Sequence, residues 1–111
     1  MRKKSGVYIK KKVSNMFRIY RLALQGFEHH ENKDVRGIGT RLLFDESLVT
    51  DGASDCMEKC IQHQKCNAFV RHTKKYQSWP IGHCWFKEIE DGVYKMEDID
   101  WADVFVKTGL L

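Results

Sequence analysis

SDCMEKCIQHQKCNAFVRH, residues 54–72, carries three of the chain's four cysteines, and the fourth, Cys84, follows in GHCWFK, residues 82–87. The spacing is C-x3-C-x5-C-x17-C. Structural zinc sites favour C-x2-C knuckles, in which a tight turn aims both sulfurs at one ion. Redox centres favour C-x-x-C at a helix start. Neither pattern is present. An even cysteine count in a short chain fits a disulfide framework. Cys56 and Cys60 lie one turn apart on one helical face, where their parallel side chains bond poorly with each other. Two partitions stay open: Cys56–Cys84 with Cys60–Cys66, which clamps the helix to the strand after it, or Cys56–Cys66 with Cys60–Cys84.

Working outward, Ser54 is a suitable N-cap, and Asp55 and Glu58 suit the positive end of a helix dipole. The spacing predicts a short helix over 55–63 with Cys56, Cys60 and either Met57 or Ile61 inward. CNAFVRH reads as a strand with Ala68 and Val70 on one side and Phe69 on the other. CWFKEI reads as its antiparallel partner, across a long polar connection that contains Tyr76, Trp79 and Pro80. FRIYRLAL, residues 17–24, alternates as a strand. TRLLF, residues 40–44, is a short strand or an extended run. GFEHHENKDVRGIG, residues 26–39, reads as a polar surface loop. The acidic stretch 90–103 reads as another, and DVFVK closes as a last strand in front of which Trp101 is an anchor.

The chain has 111 residues, 42% hydrophobic and 31% charged, with a net charge of +4. This is a one-domain length and a globular composition. The charge is uneven: residues 1–22 hold eight Lys/Arg and no acid, so the remainder is net acidic. Residues 1–15 are expected to be a basic, flexible arm, residues 16–108 the domain and 109–111 a tail. Lys10, Lys11 and Lys12 in the arm are candidates for contact with a sulfated or acidic partner. No apolar run reaches the ~18 residues that a membrane span needs. No signal peptide is visible, because lysines and arginines interrupt every apolar stretch.

These residues resemble the PAN/apple family. SDCMEKCIQHQKCNAFVRH, GHCWFK and the closing WADVFVK, residues 101–107, match its helix with C-x3-C, its small-aromatic strand and its Cys-aromatic-x-Lys strand. KDVRG in the upstream loop resembles the family's Asp-x-Arg-Gly element. The resemblance implies an α+β fold, a curved antiparallel sheet with one short helix packed across it, stapled by Cys56–Cys84 and Cys60–Cys66. Full apple domains carry a further disulfide between terminal strands. This chain matches the shorter four-cysteine variant. The resemblance also implies a non-catalytic, extracellular or secreted recognition module that binds a protein or carbohydrate, without cofactor or metal.

Two other readings stand beside it. One is a small structural subunit of a larger assembly, with the arm threaded into neighbours or onto nucleic acid. The other is an intracellular zinc-binding domain. No nucleophile–base arrangement is visible, and no acidic stretch has the ligand order of a calcium loop. His29 and His30 read as solvated loop residues. Tyr76 and Trp79 are the candidate partner-binding aromatics of the domain.

Overall fold

The computed structural model describes residues 26–48 and 52–108. The elements are β1 (Phe27–His30), β2 (Lys33–Val35), β3 (Thr40–Ser47), α1 (Ser54–Gln62), β4 (Ala68–His72), β5 (His83–Ile89), β6 (Met96–Asp98) and β7 (Ala102–Lys107). The protein is a small α+β fold. Five strands form an antiparallel sheet in the order β1-β7-β4-β5-β3, and β2 pairs with β6 in a separate antiparallel ribbon. The strand expected over 17–24, the basic arm and the tail lie outside the described residues.

Strand parity divides the interior into two cores. Phe69 and Phe86 face α1 and pack with Phe27, Phe105, Cys56, Met57 and Cys60. Phe69 is fully buried and touches three rings: it stacks on Phe105 at 4.8 Å and meets Phe27 at 5.6 Å and Phe86 at 5.9 Å. Ala68 and Val70, one residue out of step, face the other way and join Val35, Ile89, Ala102 and Val104. The expected division of Ala68 and Val70 from Phe69 is therefore what places two layers on one central strand.

Cys56 on α1 is bonded to Cys84 on β5, with Cα atoms 6.4 Å apart, and Cys60 to Cys66, at 5.1 Å. The first bond ties the nine-residue helix to the sheet it covers. A helix this short is marginal in isolation, so its stability comes from the crosslinks and from packing. The second bond closes the turn out of the helix. Asn67, just after it, acts as a strand extension: its side chain exchanges two hydrogen bonds with the backbone of Ile89, at 2.7 and 2.9 Å.

Four expectations need correction. The polar segment 26–39 is not a loop but contains β1 and β2. Its strands pair through backbone, so their side chains need no apolar run: β1 lies against β7, and β2 against β6. Three residues of the acidic stretch form β6 for the same reason, with Lys33 paired to Asp98 across the ribbon. TRLLF belongs to an eight-residue strand, with a register shift between Leu42 and Phe44. Ser54 is the first helical residue and makes no side-chain cap. Ala53 flanks the helix instead, and its carbonyl accepts the Met57 N–H.

Gly39 leads into β3 at φ +81°, in the left-handed region that glycine occupies at little cost. A Cβ there would lie 2.8 Å from the Tyr94 amide nitrogen, so the backbone of the 90–95 turn is held against it.

Candidate functional site: an aromatic cleft

The face of the sheet away from α1 ends in a cleft. Its position follows from parity. Cys84 and Phe86 face the helix, so Trp85 and Lys87 face away from it. His72 on β4 falls on the same side as Val70. The ribbon supplies Asp34 and Arg36, Trp101 enters ahead of β7, and the β4–β5 connection folds over with Tyr76, Gln77 and Trp79. Together these residues line a cavity of about 260 Å³. A larger hollow of about 510 Å³ runs along Gly39–Arg41 and Glu88–Glu90, but no aromatic side chain lines it.

The polar connection closes on itself at its tip. Tyr76 and Trp79 exchange backbone hydrogen bonds, both 3.0 Å, with Gln77 at φ +55°. The tip is thereby a tight turn. Tyr76 stacks on Trp101 with centroids 4.0 Å apart, and Trp79 meets Trp85 edge-on at 5.1 Å. Trp79 is half-buried and Tyr76 is 37% exposed, so each ring is both wall and surface. At the base, Gly82 at φ +90° would bring a Cβ within 2.8 Å of the Leu48 carbonyl oxygen.

His72 forms the floor. Its Nε2 accepts the indole N–H of Trp85 at 2.9 Å. The neutral ring therefore carries its proton on Nδ1. That N–H is buried and has no hydrogen-bond partner among the described residues. Burial, with the neighbouring His83, pushes the pKa from 6.5 down to about 4, against an opposing pull from Asp34. An unfolded chain takes up this proton near pH 6.5 and the fold only near pH 4. The stabilisation is thus complete above pH 6.5 and lost as pH falls from about 6.5 to 4. Urea unfolding at pH 7, 5.5 and 4 is expected to show that decline, and a His72→Phe variant is expected to lack this part of it.

Three charged groups, Asp34, Arg36 and Lys87, line the cleft with the aromatic rings. Asp34 is buried; its Oδ1 accepts the Val35 N–H at 2.8 Å, while Oδ2 stands 3.7 Å from Arg36 Nε. Arg36 also lies 3.4 Å from Glu97. Lys87 Nζ donates to the Val35 carbonyl at 2.8 Å. Burial lowers the Lys87 pKa, and Asp34 opposes that shift. No carboxylate pairs with Lys87 among the described residues.

Of the residues singled out from sequence, Tyr76 and Trp79 come together in the cleft, and the four cysteines form the two bonds beneath it. Lys10, Lys11 and Lys12 lie outside the described residues. Sequence reasoning missed Asp34, Arg36, His72, Trp85, Lys87 and Trp101 as one group. The available signal was alternation: once Cys84 must face the helix, Trp85 and Lys87 cannot.

It also missed a Ser-His-Asp chain. Ser47 Oγ lies 2.6 Å from His83 Nδ1, and His83 Nε2 2.8 Å from Asp45 Oδ2. Ser47 and Asp45 are two apart on β3, hence on one face, and Ser47 is the cross-strand partner of His83. Acyl transfer would further need N–H donors aimed at a developing oxyanion. The neighbouring amides are already engaged: Leu48 donates to Gly82, Gly82 to His72 and His83 to Pro80. The two hydrogen bonds of the Ser-His-Asp chain tie the outer strand β3 to β5. His29 plays a similar part at the opposite edge, stacked on Phe105 at 4.3 Å and paired with Asp103 at 2.7 Å.

Among the described residues no cluster of three or more His, Cys, Asp or Glu is placed to hold a metal, and no helix is long and apolar enough to cross a membrane. No protein-family model matches the chain, and no curated protein matches it.

Proposed function

We propose that this chain is a PAN/apple-like recognition module of the short four-cysteine type, binding a protein or carbohydrate outside the cell through its aromatic cleft. The observation that carries the reading is the convergence of Tyr76, Trp79, Trp85 and Trp101 on one small cavity with polar groups at its floor. Aromatic anchors that are partly buried and rigidly held are where binding energy concentrates. Two disulfides beneath the sheet suit an oxidising compartment. With all four sulfurs in covalent bonds, no thiolate remains to ligate zinc. In this reading the basic arm with Lys10, Lys11 and Lys12 adds attraction to sulfated or acidic partners, and added salt screens it.

The test is binding of the labelled protein to arrays of glycans and of cell-surface proteins. Trp79→Ala and Tyr76→Ala are expected to weaken the bound signal at least about tenfold while leaving the circular dichroism spectrum unchanged. Binding that survives both substitutions intact would place recognition elsewhere.

A further inference from the structure

Building on that reading, we propose that the cleft takes a single sugar residue bearing a carboxylate, a member of the uronate class. The polar groups around the cavity are of two kinds. Lys87 is a cation withdrawn from water, with one of its three N–H groups on the Val35 carbonyl and no carboxylate partner among the described residues. Asp34 is a buried acceptor whose Oδ2 is beyond hydrogen-bond distance of Arg36. The indole and phenol rings line the same cavity, and His72, whose Nδ1–H has no partner among the described residues, lines it too.

A ligand that fits must supply an anion for Lys87, hydroxyl donors for Asp34 and an apolar face for the rings. A uronate supplies all three. An apolar ligand would take water from Lys87 and Asp34 and supply no hydrogen-bond partner in its place. A cationic ligand would face Lys87 and Arg36. A free phosphate or sulfate would make no use of the rings, and a peptide carboxylate lacks the rigid ring that holds an anion, hydroxyl donors and an apolar C–H face together. The size agrees, since about 260 Å³ admits one sugar ring.

The chain supplies its own reporter: its three tryptophans, Trp79, Trp85 and Trp101, all line the cleft. The probes are methyl β-glucuronide, methyl β-galacturonide, their methyl esters and the matching neutral glycosides, titrated against intrinsic fluorescence. One of the two acids is expected to shift the emission with a Kd in the millimolar range, as befits a ligand of so few atoms. It should bind at least about tenfold tighter than its own ester, the size of effect expected for a charge-assisted hydrogen bond. Lys87→Met should bring the acid down to the level of the ester. Because Lys87 also bonds Val35, the acid–ester comparison on the unaltered protein decides the matter if that variant does not fold. Equal binding of acid and ester would overturn the uronate inference and leave a neutral-sugar site. No response to any probe would overturn it as well, and the array experiment would still decide whether the cleft recognises a partner.

Discussion

Replacing Cys56 and Cys84 together by alanine is expected to lower the unfolding free energy by about 3–4 kcal/mol. The bond closes a loop with a sequence separation of 28. In the chain-entropy account, opening a loop of that length returns this much freedom to the unfolded ensemble. It is a large part of the roughly 5–15 kcal/mol that small domains possess. The shorter Cys60–Cys66 loop, with a separation of 6, is expected to contribute less, about 2 kcal/mol. Urea unfolding of each double variant measures the difference. The order matters more than the sizes: the helix-to-sheet bond should outweigh the bond at the turn. Equal and small losses would mean that packing alone seats α1 on the sheet.

Phe69→Ala is expected to cost about 3–5 kcal/mol. Phe69 sits on the central strand β4, is fully buried and contacts the rings of Phe27, Phe86 and Phe105. Those neighbours come from β1, β5 and β7, so a cavity at this point loosens three strands at once. The surrounding rings are held by their own strands and collapse poorly into the space, which places the loss high in the usual range for aromatic truncation. Thermal or urea unfolding monitored by far-ultraviolet circular dichroism gives the value. Phe44→Ala is a fitting comparison, because Phe44 stacks on Phe86 at 4.4 Å but lies on the outer strand β3 and is only partly buried. It should cost clearly less.

What could be read from sequence follows the kind of interaction that fixes each part. The helix, β4, β5 and β7 have side chains that announce their faces: cysteines at one-turn spacing, Phe69 between Ala68 and Val70, and Val104 two residues before Val106. Their positions emerge from periodicity. β1, β2 and β6 are held by backbone pairing and by charged or aromatic side chains at the sheet margin, as in the His29–Asp103 and Lys33–Asp98 pairs. A polar strand of three or four residues has no periodic signature, so FEHH and KDV look like loop.

The cleft was half legible. Tyr76 and Trp79 draw attention as aromatics in a polar connection. His72, Trp85 and Lys87 read as ordinary strand residues until one knows that Cys84 turns toward α1. Asp34 and Arg36 come from a segment some fifty residues upstream of Lys87, and only the β2–β6 ribbon brings them to the same wall. Ser47 and His83 met for the same reason: their proximity is a matter of strand register, which the sequence does not display.

The scaffold beneath the cleft depends on which sulfurs are joined, and peptide mapping by mass spectrometry under non-reducing conditions tests that most directly. The account predicts one crosslinked peptide pair containing Cys56 and Cys84, another containing Cys60 and Cys66, and no alkylation before reduction. Four thiols alkylated without reduction, or a Cys60–Cys84 peptide, would contradict it.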